Sequence, residues 1–316
     1  MIFLIYAVLA VLVVYCAIKL SYYVDCLDKT TNLSGAFIGG VLLAAITSLP
    51  EVFTSLTAIL LLDQPHLVPG NVLGSNLFNL SIIAIIVVFT SKNFAKSTLS
   101  KSHITTIIFD IVMCILVALA IFVPITIPLG FTTINLMSIL MLIVYIISIF
   151  LMKNDDSTND ENTTVDLTLK QIITRFILFA IALVFISILL TQASDILAKE
   201  LNLGATLAGA VFLGVVTSLP ELSASINLVR INNYNAAVGN VVGSCLFNFM
   251  ILCASDFVYS NNIYFNETSV IALLGFGCLS TILTLILIKV KNNRILSIIL
   301  SVFIILSYIL SLALSA

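Results

Sequence analysis

Two five-residue segments place polar chemistry inside otherwise apolar runs: Thr47-Ser48-Leu49-Pro50-Glu51 and Thr217-Ser218-Leu219-Pro220-Glu221. Each proline removes one helical hydrogen bond and clashes with the carbonyl four residues back, on Ile46 and Val216. A kink or break is therefore expected just before each proline. Freed carbonyls at membrane depth are tolerated only where they are buried in protein or line a wet cavity. One residue after each proline stands a carboxylate, which costs about 2.5–3.5 kcal/mol or more to place at the centre of a bilayer. A bound cation offsets that cost, and so does a proton.

A second motif adds oxygen. Gly70-Asn71-Val72-Leu73-Gly74-Ser75-Asn76-Leu77-Phe78-Asn79 is matched by Gly239-Asn240-Val241-Val242-Gly243-Ser244-Cys245-Leu246-Phe247-Asn248. Ser75 and Asn79 are four apart and share a helix face, as do Ser244 and Asn248. The glycines are small enough to let helices approach closely. The candidate set is then Glu51, Glu221, Thr47, Thr217, Ser48, Ser218, Ser75, Ser244, Asn79 and Asn248, with no His and no Cys ligand. An all-oxygen set suits hard cations, and Ca2+ in particular takes six to eight oxygens at flexible geometry. Two carboxylates balance one Ca2+, two monovalent ions or two protons. Competition of those cargoes for the same pair is the simplest physics of antiport.

The elements that must position these residues are membrane helices. Of 316 residues, 61% are hydrophobic and 9% charged, and the mean hydropathy is +1.23. Soluble globular proteins carry about 25% charged residues, so a soluble enzyme, a nucleic-acid binder and a disordered chain are excluded. Apolar runs fall near 2–20, 34–61, 70–91, 104–123, 131–152, 171–191, 204–229, 236–258, 268–288 and 295–315. The first has no basic start and no small-residue cleavage site, and reads as a retained helix. With the N-terminus outside, twelve basic residues fall in or beside cytoplasmic loops: Lys19, Lys29, Lys92, Lys96, Lys101, Lys153, Lys170, Arg175, Arg230, Lys289, Lys291 and Arg294. The outer loops keep Lys199, a strong positive-inside bias.

The motifs recur at offsets of 170 and 169, so the chain reads as two related halves of five helices: 1–152 and 171–316, joined by a solvated acidic linker at 153–170. Five is odd, so the second half must enter the membrane upside down. Such an inverted repeat is a recurring plan of secondary transporters and brings matching residues together near the midplane. The expected fold is an all-α membrane protein of ten transmembrane helices in two inverted five-helix repeats, with helices two and seven discontinuous. The six cysteines contain no CxxC pair and read as small buried thiols. Asp110, a third intramembrane acid, has no acidic counterpart at the equivalent position of the other half, which is Ser280, and breaks the symmetry. It reads as structural or proton-linked. Neither a channel nor an intramembrane hydrolase fits as well: a channel needs no inverted pair, and the site lacks a nucleophile–base pair.

The two Thr-Ser-Leu-Pro-Glu segments, each followed by GN-x-x-GS-x-LFN, resemble the alpha repeats of the sodium/calcium exchanger family, within the cation/calcium antiporter superfamily. The resemblance implies exchange of cytoplasmic Ca2+ for Na+ by alternating access, with no cofactor and no enzymatic activity. It implies that Glu51 and Glu221 hold the ions, with Thr47, Ser48, Thr217, Ser218, Ser75, Asn79, Ser244 and Asn248 beside them. The first and sixth helices are the elements it implies slide across the rest. The family usually has Gly where Ile46 and Val216 stand, and many members have Asp where Asn248 stands. A H+/Ca2+ exchanger, or one for another divalent ion such as Mn2+, is the alternative. The expected partners are inorganic cations and the lipid bilayer, with no nucleic acid and no obligate protein partner. The expected location is the plasma membrane, as a monomer with a cytoplasmic central loop.

Overall fold

A computed structural model describes residues 2–31, 33–61, 63–128, 133–153, 166–200, 215–259, 261 and 263–315. The acidic stretch 154–165 and the start of the seventh apolar run, 201–214, lie outside them. The described chain is almost wholly helical. Its elements are α1 (Ile2–Thr30), α2 (Gly35–Phe37), a π-helix (Ile38–Leu43), α3 (Ala44–Thr47), α4 (Leu49–Leu60), α5 (Leu67–Lys96), α6 (Ser102–Phe122), β1 (Thr126–Pro128), β2 (Thr133–Asn135), α7 (Leu136–Lys153), α8 (Leu169–Glu200), α9 (Leu219–Arg230), α10 (Tyr234–Val258), α11 (Thr268–Lys289) and α12 (Arg294–Ser315). Among the described residues, eight stretches are long and apolar enough to cross a bilayer. A ninth helix, Leu136–Met152, is apolar but shorter.

Two differences from the sequence reading have local causes. The first helix runs ten residues past the apolar stretch, to Thr30, because the polar end Ser21–Thr30 supplies its own support. Lys29 pairs with Asp25 at 2.7 Å, one turn apart, and Thr30 donates to the Cys26 carbonyl. The fifth apolar run does not start as helix: residues 126–128 and 133–135 form an antiparallel two-stranded ribbon, Ile127 opposite Ile134. Asp256 of α10 ties this ribbon down. Its Oδ2 accepts from the Asn135 N–H at 2.8 Å and the Ser138 hydroxyl at 2.7 Å, and Ser138 in turn meets the Tyr264 hydroxyl.

The second helix breaks where its proline demands. Ser48 has φ −88° and ψ 4°, outside the helical region, and Pro50 sits in the first turn of α4, where its missing N–H costs nothing. The other half repeats this. Residues 215–217 are helical, Ser218 has φ −91° and ψ 9°, and Pro220 opens α9. The π-helix just before α3 was not expected.

α1 lies along α8. α10 packs on α5, α6 and the broken second helix. The approach of α10 to that helix is backbone to backbone: a Cβ on Gly243 would lie 2.0 Å from the Gly40 carbonyl oxygen. The glycines of the two halves differ here, since no described atom lies within 4 Å of a Cβ built on Gly70 or Gly74. At one end of the bundle the loops after α1, α5, α9 and α11 meet. Asn233 donates to Asp25 and Asp28, Asn235 accepts from the Ser100 N–H, and Lys291 donates to the Ser97 carbonyl. The ribbon and Tyr264 occupy the other end.

Candidate cation site

The ten candidate residues come from four stretches of the chain, and side-chain contacts bring seven of them together: Thr47, Ser48, Glu51, Thr217, Ser218, Glu221 and Ser244. Thr47 and Ser48 lie at the break before α4, Glu51 in its first turn, Ser75 and Asn79 on α5. Thr217 and Ser218 lie at the break before α9, Glu221 in its first turn, Ser244 and Asn248 on α10. None is more than 1% exposed. The two broken helices cross-link reciprocally: the Ser48 hydroxyl donates to Glu221 Oε1 at 2.9 Å, and the Ser218 hydroxyl donates to Glu51 Oε1 at 3.0 Å. The non-helical backbone angles at each serine accompany a hydroxyl turned to the opposite acid. Thr217 also stands against Glu51, and Thr47 and Ser244 stand against Glu221.

Two asparagines that the sequence reading left without a role hold the acids in place. Asn71 donates to the Glu51 carbonyl at 3.4 Å and to the Ser55 hydroxyl at 3.0 Å. Asn240 does the same to the Glu221 carbonyl and the Ser225 hydroxyl, at 3.4 and 3.0 Å. Both are the second residue of the repeated ten-residue motif, and that repetition was the available signal. Their carboxamides tie α5 and α10 to the first turns of α4 and α9, the turns that carry the acids. The carbonyl on which the hydroxyls gather is that of Ala44, not Ile46. It accepts from the Ser48 N–H at 3.0 Å, the Thr47 hydroxyl at 3.3 Å and the Ser244 hydroxyl at 3.5 Å.

The atoms left over describe the site's chemistry. Glu51 Oε2, Glu221 Oε2, Ser75 Oγ, Asn79 Oδ1 and Asn248 Oδ1 are buried with no hydrogen-bond partner. Native proteins pair nearly all such groups, because each unmet one costs about 1–3 kcal/mol. Here five unmet oxygens belong to residues already singled out for their donor type. One ion pair is present among the described residues, Lys29–Asp25, so no protein cation answers Glu51 or Glu221. The donor set fits a hard cation: two carboxylates, two amide oxygens and hydroxyls.

The halves are not identical. Asn248 Nδ2 donates to Asn76 Oδ1 at 2.9 Å. The equivalent partner for Asn79 would be residue 245, which is Cys. A thiol is a weak partner for an amide N–H, and both amide atoms of Asn79 are unpartnered. Cys245 instead donates weakly to the Asn76 carbonyl.

With this geometry in view, the comparisons with known proteins are decisive. A profile described as sodium/calcium exchanger protein matches residues 1–153 and 172–316, nearly the entire chain. The chain belongs to the sodium/calcium exchanger family. Its relatives include an uncharacterised membrane protein of Methanocaldococcus jannaschii, MJ0091, 26% identical over 67% of each chain. They also include the inner membrane protein YrbG of Escherichia coli, 26% identical over 76% of this chain and 74% of YrbG. Among solved structures, the sodium-calcium exchanger NCX_Mj soaked with 2.5 mM Na+ and 0.1 mM Sr2+ superposes with a TM-score of 0.72 at 20% identity. That match covers 97% of this chain and 98% of the other. The same exchanger soaked with 10 mM Na+ and 10 mM Sr2+ gives 0.73. At that identity the likeness is one of fold. The protein is thus a membrane protein of an exchanger family.

Proposed function

We propose that the protein is a secondary active antiporter that exchanges Ca2+ for Na+ across the plasma membrane by alternating access. The observation that carries this reading is the set of unpartnered oxygens on Glu51, Glu221, Ser75, Asn79 and Asn248, all sealed from solvent. In this reading Ca2+ takes one oxygen from each glutamate and further oxygens from the asparagines and Ser75, with water making up the count. Thr47, Thr217 and Ser244 line the site, and Ser48 and Ser218 hold the far carboxylate oxygens so that the near ones face the ion. Two negative charges take one Ca2+ or two Na+, never both. Emptied, the pair costs about 5–7 kcal/mol in a membrane interior, at about 2.5–3.5 kcal/mol per carboxylate. That suppresses unloaded turnover by roughly 10⁴-fold, which is what makes the exchange obligatory.

The same reading takes residues 1–152 and 171–316 as inverted five-helix halves joined at 153–170, ten spans in all. The matching backbone angles at Ser48 and Ser218, and the reciprocal serine–glutamate bonds, support the two-fold relation. The basic loops gather at one end of the bundle, which supports a cytoplasmic assignment for that end. α1 and α8, which lie along each other, are the pair that slides. The protein acts as a monomer, uses no cofactor and catalyses no covalent chemistry.

A specific observation favours one second reading, H+/Ca2+ exchange: with amides at 79 and 248 the site has two acids, which two protons neutralise. Purified protein in liposomes, with Na+ and pH gradients imposed separately, decides between them. Ca2+ uptake driven by an outward Na+ gradient at equal pH is expected. Uptake driven by pH with no response to Na+ would overturn the first reading in favour of the second.

A further inference from the structure

A third acid lies beside the central site. Asp110, on α6, is 1% exposed, and neither of its carboxylate oxygens has a hydrogen-bond partner. It lines a cavity with Asn76, Leu80, Cys114, Cys245 and Thr281, drawn from α5, α6, α10 and α11. The cavity offers about 10 Å3 to the centre of a water-sized sphere, room for a single water or one small ion. Among the described residues, no Lys, Arg or His lines it. The titratable groups facing Asp110 among the described residues are thiols, Cys114 on its own helix and Cys245 on α10; Cys278 on α11 meets Cys114 in turn. On α7, which also packs against α6, Tyr145 meets Phe247 edge to face and is not part of the cavity wall. An ionised carboxylate in this place would be an isolated buried charge, the most expensive group a protein interior can hold.

We propose that Asp110 is the carboxylate of a second ion site, one that takes a single singly charged cation, Na+ or a proton, and communicates with the central site through Asn76. Charge sets the valence: one carboxylate balances one positive charge, whereas a divalent ion would leave a surplus charge among Leu73, Leu80, Phe249 and Leu274. Donor type sets the class. Besides the two Asp110 oxygens, Asn76 Oδ1 has a lone pair beyond the one occupied by Asn248, and Thr281 Oγ1, which donates to the Gly277 carbonyl at 2.8 Å, keeps its lone pairs. These are hard ligands, and the thiols are soft ones. Among the described residues no three His, Cys, Asp or Glu groups are disposed to hold a metal, which argues against a thiolate site. The link to the central site is the 2.9 Å bond from Asn248 Nδ2 to Asn76 Oδ1. A cation that draws on the other lone pair of Asn76 Oδ1 polarises the oxygen that Asn248 bonds, and so acts on a residue whose own Oδ1 is unpartnered and belongs to the central set. Cys245 opens the space: an asparagine there, as at the equivalent position 76, would fill it. The coupling to Ca2+ rests on the function proposed above, but the Asp110 site itself does not.

The test uses the full-length protein in lipid vesicles and two readouts. Infrared difference spectra, taken on adding Na+ or raising pH without Ca2+, are compared between wild type and Asp110→Asn. The expected result is loss of a protonated-carboxyl carbonyl band that Asp110→Asn lacks and Asp110→Glu retains. Loss on adding Na+ identifies sodium as the occupant, and loss with pH alone identifies the proton. A band from Asp110 that stays fixed under both, or spectra that do not change with the substitution, would overturn the site. The second readout is transport. Asp110→Asn should keep Ca2+/Ca2+ exchange, while the Hill slope of the Na+ or proton dependence of Ca2+ efflux falls by about one, as expected for one site fewer. An unchanged slope, or Ca2+/Ca2+ exchange abolished in a folded Asp110→Asn protein, would equally refute the proposal. If wild type itself shows no Ca2+ exchange, the central-site reading fails while the infrared result still judges Asp110.

Discussion

Replacing either glutamate by glutamine tests the charge pair directly. Glutamine is nearly isosteric, and its amide oxygen still accepts the serine hydroxyl, at 2.9 Å for Glu221 and 3.0 Å for Glu51, so the bundle keeps its cross-link. What changes is the charge, from two negative to one. A divalent ion bound there would then leave one positive charge with no partner, in a site where no residue is more than 1% exposed. Breaking a buried charge pair from one side costs about 3–5 kcal/mol, which is about 10²–10⁴-fold in the Ca2+ dissociation constant. Because the bonds are reciprocal, Glu51→Gln and Glu221→Gln should weaken Ca2+ to within about threefold of each other, about 0.6 kcal/mol. Binding of radiolabelled Ca2+ to the purified variants, together with Ca2+/Ca2+ exchange in proteoliposomes, measures both quantities. Retention of near-normal exchange in either variant would refute a two-carboxylate site. So would a large loss in one and none in the other, which would place the ion on one acid and leave the second as structure.

The remaining predictions follow from the same contacts. Ser48→Ala and Ser218→Ala each delete one hydrogen bond to a charged acceptor, worth about 1.5–3 kcal/mol, so Ca2+ affinity should fall roughly tenfold to a hundredfold in each; wild-type affinity in both would show that the serines do not orient the acids. Since a carboxylate must lose its proton to ligate metal, Ca2+ binding should weaken as pH falls, with up to two protons taken up per Ca2+ released; a Ca2+ titration flat through the ordinary carboxylate range, about pH 4–5, would contradict this. Gly243→Ala puts a methyl 2.0 Å from the Gly40 oxygen and should sharply lower thermal stability in detergent, whereas Gly275→Ala, with no described atom within 4 Å, should be neutral or slightly stabilising. Asp256→Asn weakens the tie between α10 and the ribbon, and should lower the unfolding temperature by several degrees while leaving Ca2+ affinity unchanged.

The features legible in the sequence were those fixed by covalent chemistry or by a repeated pattern. A proline inside an apolar run dictates a break whatever surrounds it, and the breaks at Ser48 and Ser218 fall where Pro50 and Pro220 require. The donor types stood out because duplication displays them twice. Features set by the meeting of two backbones were not legible. The π-helix at Ile38–Leu43 contains Gly39 and Gly40, which accept α10 at backbone distance; a Cβ on Gly39 would lie 2.4 Å from the Ala236 oxygen. No local propensity encodes that contact. The ribbon before α7 was missed for a similar reason: Thr133–Asn135 falls at the start of the apolar run 131–152, and its pairing with Thr126–Pro128 and its tie to Asp256, far along the chain, are set by residues outside that run.

The departures from two-fold symmetry say more about this protein's individual behaviour than the symmetry does. Symmetry accounts for a pair of acids and thus for a two-charge cargo. The amide at 248 removes one place where a further acid could stand, and Asp110 supplies an acid elsewhere, at a position whose equivalent in the other half is Ser280. Cys245 is the residue that makes both departures consequential. It denies Asn79 the partner that Asn248 finds in Asn76, leaving both Asn79 amide atoms unpartnered, and it stands in the wall of the Asp110 cavity. Cys245→Asn should therefore act on both sites at once. It restores a partner for Asn79 and fills the cavity. If it altered Ca2+ affinity while leaving the Na+ and proton dependence of efflux untouched, the two sites would be separate, and the path through Asn76 would be wrong.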